Sequence, residues 1–148
     1  MIKWWMGAAL VLSLQGDAAA QELPELIRSD LLNELKDCEQ PVRSIKRSAI
    51  RIFDFNGDGI ADYVIDYGEI CSAYCGTGGC THDIWVSQGT TWAKALSANI
   101  RDIESVGKVG GKTVLRVDLH GSFCDRVGAD SCPHVIVWDG GALRMRRR

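Results

Sequence analysis

"RIFDFNGDGIADYVIDY", residues 51–67, carries the strongest organising signal in the chain. It opens on a β-type run, passes through Asp54, Asn56, Asp58 and Asp62 with glycines between them, and closes on Tyr63-Val64-Ile65. Asn-Gly and Asp-Gly steps between two apolar runs mark a tight connection of neighbouring strands. The stretch therefore predicts strand, acidic loop, strand.

Further β-type runs lie on either side of that unit. Ser48–Phe53, Asp62–Tyr67, Asp83–Ser87, Thr91–Leu96, Thr113–Leu119 and Val135–Trp138 are rich in Val, Ile and aromatic residues. Gln88-Gly89-Thr90 and Asp139-Gly140-Gly141 have the composition of hairpin turns. Ahead of the strands, Leu23–Lys36 places Ile27, Leu31 and Leu35 four apart, which predicts an amphipathic helix with Arg28, Asp30, Asn33 and Glu34 on its wet side. The expectation is an α+β fold, an N-terminal helix packed on a twisted antiparallel β-sheet and stabilised by disulfides.

The chain begins with Lys3, an apolar stretch from Trp4 to Leu14, and Ala18-Ala19-Ala20 before Gln21. That order predicts a secretory signal peptide over 1–20 and a single mature domain over 21–148, exported to the periplasm or secreted. The apolar stretch is shorter than the roughly 20 residues that span a bilayer, so no transmembrane segment is expected. Six cysteines follow, Cys38, Cys71, Cys75, Cys80, Cys124 and Cys132. An even count behind an export signal predicts disulfides. Local spacing favours Cys124–Cys132 and Cys75–Cys80, which leaves Cys38–Cys71; the rival set is Cys71–Cys80 with Cys38–Cys75. A net charge of −2 argues against a nucleic-acid partner, because counterion release needs clustered basic charge.

With Asp54 as position 1, oxygen-bearing side chains fall at 1, 3, 5 and 9 (Asp54, Asn56, Asp58, Asp62), with Gly59 at 6 to permit a sharp bend. Position 7 would contribute the carbonyl of Ile60. An all-oxygen set suits Ca²⁺, which accepts several oxygens in flexible geometry. An EF-hand would need Glu at position 12, where Ile65 stands, and helices at both flanks. The pattern D-x-N-x-D-G-x-x-D followed by an apolar strand instead resembles the calcium loop of FG-GAP and VCBS-type repeats. The resemblance covers about residues 50–67 in a single copy. It implies calcium ligands at Asp54, Asn56, Asp58 and Asp62, and no partner or activity. The run from LHGSFC to CPHVIVWDGG is similar to small exported bacterial proteins, which adds no function.

Other constellations read as structural. Cys71, Cys75, Cys80 and His82 lack the spacing of common zinc sites. Asp118, His120 and Ser122 alternate along one strand face, where neighbours lie too far apart for a hydrogen-bonded triad. Trp85, Trp92 and Trp138 fall in β-type runs and fit core and hairpin packing. The tail ALRMRRR reads as a solvated terminus whose arginines could meet an anionic surface or an acidic protein. The leading functional expectation is a non-enzymatic calcium-binding module that binds a protein or polymer of the envelope or extracellular space. The alternatives are an inhibitor of a secreted lysozyme or protease, and a metal-dependent hydrolase using the acidic cluster.

Overall fold

A computed structural model describes residues 22–39, 42 and 44–148. The expected signal peptide, residues 1–20, lies outside the described residues. Helix α1 spans Glu25–Glu34 and continues as a 3-10 turn over Leu35–Asp37. The strands are β1 (Ile50–Phe53), β2 (Asp62–Asp66), β3 (Cys75–Gly76), β4 (Gly79–Ser87), β5 (Trp92–Ile100), β6 (Asp102–Val109), β7 (Lys112–His120), β8 (Ser131–Asp139) and β9 (Ala142–Arg147). All pairings are antiparallel. One sheet runs β1-β2-β4-β3, with β5 on the other side of β4; the second runs β6-β7-β8-β9.

The α+β expectation is therefore corrected: the protein is mainly β, built on two antiparallel sheets rather than on one sheet with a helix as its packing partner. The main core lies between the sheets. Val64, Ile84, Val86 and Ile100 of the first meet Leu115, Val117, Leu119, Cys132 and Ile136 of the second, all at most 3 % exposed. Alternation in β7 produces this directly: Leu115, Val117 and Leu119 point inward while Arg116 points out. Helix α1 is a minor third element. Its Ile27, Leu31 and Leu35 cover Tyr63, Ile65, Tyr67 and Trp85 on the back of the first sheet.

Three strands escaped the sequence reading: the two-residue β3 of the first sheet, and β6 and β9 of the second. In β6 a register shift between Ser105 and Gly107 breaks the alternation, and Val106 and Val109 face solvent. The tail expected to be a solvated terminus is the edge strand β9, paired along its length with β8 through a two-residue Gly140-Gly141 turn. Both glycines have positive φ, 59° and 78°, as this hairpin geometry requires.

The three disulfides are Cys38–Cys71, Cys75–Cys80 and Cys124–Cys132, the set favoured by local spacing. Strand direction gathers them at one pole. Cys71 follows β2, Cys75–Cys80 joins β3 to the start of β4, and Cys124–Cys132 closes the β7–β8 connection. The acidic loop between β1 and β2 lies at the opposite pole, beside the β6–β7 turn, where the Thr113 amide donates to the Asp54 carbonyl at 2.8 Å. The three disulfides are compatible with an oxidising compartment. Among the described residues no helix is long and apolar enough to cross a membrane.

Candidate metal centre

The β1–β2 loop is folded by its own acidic side chains. Asp54 accepts the Gly57 amide on Oδ1 at 2.7 Å and the Gly59 amide on Oδ2 at 3.2 Å. Asn56 Oδ1 accepts the Asp58 amide at 3.1 Å, and Asp58 Oδ1 accepts the Ile60 amide at 2.8 Å. The last two are consecutive Asx turns, the local alternative to helix or sheet that short Asp and Asn side chains offer the backbone. Gly57 and Gly59 both take positive φ, near 80°, which lets the chain turn twice within the loop.

Ser87, at the end of β4, ties the loop to the sheet. Its hydroxyl donates to Asp58 Oδ2 at 2.7 Å, its amide donates to Asp62 Oδ1 at 2.7 Å, and its carbonyl accepts Asn56 Nδ2 at 3.1 Å. Ser87 and Thr113 were not singled out from sequence. The signal available was that each is a polar residue at a strand end, and both are nearly fully buried.

Asp62 is the most enclosed of the set, at 0 % exposure. Its second oxygen accepts the Phe55 amide at 2.6 Å. Among the described residues it has no cationic partner. Burial pushes its carboxyl above the usual aspartate range in spite of the two amide bonds, and the neighbouring Asp58 charge pushes the same way. Asp58 is held below its ordinary value, chiefly by the Ser87 hydroxyl. Asp62→Ala would leave two enclosed amides without an acceptor. The expected loss is about 2 kcal/mol of stability in chelator-treated protein, read from the denaturant midpoint.

An ionised carboxylate offers about four acceptor positions. The bonds above leave some free on Asp54, Asp58 and Asp62, and the Ile60 carbonyl is the position-7 oxygen. The donor set is oxygen throughout, which fits a hard cation such as Ca²⁺ rather than a thiophilic metal. Two groups of three ligating side chains do lie within 4.8 Å of one another among the described residues: Cys124, Cys132 and His134, and Asp30, Glu34 and Asp83. Neither contains a loop carboxylate.

Both groups are already occupied by other chemistry. The first is a disulfide with His134 Nδ1 3.7 Å from Cys132 Sγ. The second surrounds an ammonium. Lys94 Nζ sits 2.8 Å from Asp30, 2.7 Å from Glu34 and 2.9 Å from Asp83, and 5.2 Å from the centre of the Trp85 ring. The Tyr67 hydroxyl bonds both Glu34 and Asp83. Burial disfavours the charge on Lys94, yet the three carboxylates hold its pKa well above the ordinary lysine value. Burial likewise works against Glu34, but the bonds from Lys94 and Tyr67 outweigh it and lower its pKa. Asp30 and Glu34, expected on the wet side of α1, are instead turned toward the sheet.

None of the remaining constellations forms a complete site, although the expected separation of His120 from Ser122 is corrected, because Ser122 leaves the strand for the 3-10 turn Gly121–Cys124. Cys71, Cys75 and Cys80 are all oxidised, and His82 bonds the Cys80 carbonyl and pairs with Asp66. His120 Nδ1 lies 2.7 Å from Ser122 Oγ, while Asp118 accepts from the Ser131 hydroxyl and the Cys132 amide and takes no part in that pair. Trp85 and Trp92 pack in the cluster under α1, with Trp92 Nε1 donating to the Ala61 carbonyl at 2.8 Å; Trp138 packs against the main core. Comparison of the chain with protein-family models, with curated proteins and with solved structures gives no match.

Proposed function

We propose that this chain is an exported, non-enzymatic binding module in which a calcium ion stiffens the β1–β2 loop. The observation that carries the reading is the loop itself. Asp54, Asn56 and Asp58 fold it through their own oxygens, the enclosed Asp62 carboxylate lacks a counter-cation among the described residues, and Ser87 anchors the assembly to the central strand. Asp54, Asn56, Asp58 and Asp62, with the Ile60 carbonyl, would hold the ion. It would supply the positive charge that Asp62 lacks and draw the loop carboxylates closer together. The module would then act by presenting a rigid surface to a protein or polymer of the periplasm or extracellular space.

Titration calorimetry on the oxidised protein tests the metal. One calcium site is expected, in the 10⁻⁴–10⁻³ M range that is roughly typical of extracellular modules. Asp54→Ala and Asp58→Ala should each abolish the heat. A flat titration at millimolar calcium overturns the reading.

A second reading, an inhibitor of a secreted lysozyme or protease, is favoured by one observation. Phe123 and Val127 stand 66 % and 73 % exposed on the β7–β8 loop that the Cys124–Cys132 bridge closes. Arg101 braces this loop by donating to the carbonyls of Gly128, Ala129 and Asp130. A loop ordered in advance loses little entropy on binding. Stoichiometric inhibition abolished by Phe123→Ala would favour it over the calcium module.

A further inference from the structure

The far edge of β9 bears a pattern that its pairing with β8 does not require. In a two-residue hairpin the closing residues, here Asp139 and Ala142, form a hydrogen-bonded pair, and such pairs recur at every second residue. Ala142, Arg144 and Arg146 therefore turn their backbone groups toward β8. The Arg148 amide continues the series by donating to the Pro133 carbonyl at 3.1 Å. The amides and carbonyls of Leu143, Met145 and Arg147 then point the other way, and β9 pairs with no strand but β8 among the described residues.

The two faces of this edge differ. Leu143 and Met145 lean on the main core but are only half-buried. Arg144 and Arg146 lie on the opposite face, exposed and about 7 Å apart at the antiparallel rise per residue. Arg146 also pairs with Asp139 across the hairpin. A second copy of this chain docking edge to edge would set arginines against arginines, which is unfavourable for directly opposed residues. An acidic strand meets no such opposition.

We propose that the free edge of β9 binds an extended peptide segment of another protein, one in which acidic and apolar residues alternate. It adds as an antiparallel fifth strand of the second sheet, bonded to the backbone of Leu143, Met145 and Arg147. Its apolar residues extend the core over Leu143 and Met145. Its carboxylates fall opposite Arg144 and Arg146, in non-hydrogen-bonded pairs where side chains approach most closely. The inference supplies a binding surface for the module proposed above but does not depend on its calcium loop.

The probe is a blocked peptide alternating Glu and Val over the length of β9, titrated into the full oxidised protein by fluorescence anisotropy. The comparison peptides are a shuffled Glu/Val peptide, a Lys/Val peptide, and a Glu/Val peptide N-methylated on the amides that would face β9. The alternating peptide should bind at least tenfold more tightly than all three, equally well in EDTA, and should slow exchange of the Leu143 and Met145 amides. Arg144→Glu with Arg146→Glu, both exposed, should reverse the preference toward the Lys/Val peptide. Equal binding of the shuffled or N-methylated peptide means a charge contact without strand addition and overturns the proposal. Self-association through β9, or no binding at millimolar peptide, leaves the arginines as guards of an exposed edge and overturns it as well. Success in EDTA combined with a flat calcium titration would remove the metal and keep the strand site.

Discussion

Lys94→Met is expected to destabilise the protein by about 3 kcal/mol at neutral pH, the low end for removing one partner from an enclosed ion cluster. The low end applies because the cluster is only partly shielded: the Asp30 and Glu34 side chains are 39 % and 40 % exposed and Lys94 is 24 %, whereas Asp83 is 1 %. Met keeps the apolar stem over Trp85 and removes the charge, so the loss reports electrostatics rather than packing. Asp83 suffers most. One of its oxygens has no hydrogen-bond partner, and the other depends on Lys94 and Tyr67.

Acid should act on the two proteins in opposite senses. In the wild type Glu34 is held below its reference value of 4.5, so its contribution is complete above that pH and fades as the pH falls through the lowered folded value. In Lys94→Met the cation that lowers the Glu34 pKa is gone, three carboxylates crowd one another, and mild acid relieves the repulsion. Denaturant melts at pH 7 and pH 4 should therefore show the gap between the two closing on acidification. A gap that stays constant would mean that Lys94 acts through packing alone.

Removing the Cys38–Cys71 bridge as the Ala/Ala double variant should have the largest effect of any single crosslink, about 4 kcal/mol by the chain-entropy argument. The order follows from the closed loops. Their sequence separations are 33 for Cys38–Cys71, 8 for Cys124–Cys132 and 5 for Cys75–Cys80. The same argument gives about 2.5 and about 2 kcal/mol for the two shorter loops. Together these approach the entire stability of an ordinary domain, so full reduction should unfold the chain. Denaturant midpoints of the three double variants test the ranking. Cys38–Cys71 also secures the end of α1 to the segment after β2. If its removal were neutral, α1 would be held by Ile27, Leu31, Leu35 and the Lys94 cluster alone.

What could be read in advance follows from which interactions are local. The α1 stripe and β7 announce themselves because burial repeats at the period of the element, β2 and β4 because they are apolar runs buried on both faces, and the disulfide set follows from short spacings. Strand β9 was hidden because alternate arginines on an edge resemble a solvated tail; pairing with β8, invisible in composition, makes it a strand. Strand β6 was hidden by the irregularity at Gly107. With both missing, half of the second sheet was absent from the reading, and a single sheet with a helix looked sufficient. In the acidic loop Asp54, Asn56, Asp58 and Asp62 were legible from spacing, whereas Ser87, 25 residues beyond Asp62, was not. The Lys94 cluster was the hardest to foresee, since Lys94 and Glu34 are 60 residues apart and each taken alone looks like surface. Asp30 and Glu34 gave one clue: they flank the buried Ile27 and Leu31 at helical spacing.

The separation of sulfur from carboxylate along the strands gives thermal breathing a direction. With every covalent tie at one pole, the strands behave like the tines of a comb fastened at its spine. Transient openings must start at the tips, among the hairpin ends and the acidic loop, and die out toward the bridges. A cation taken up at the tips would close the comb from the side the sulfurs leave unguarded.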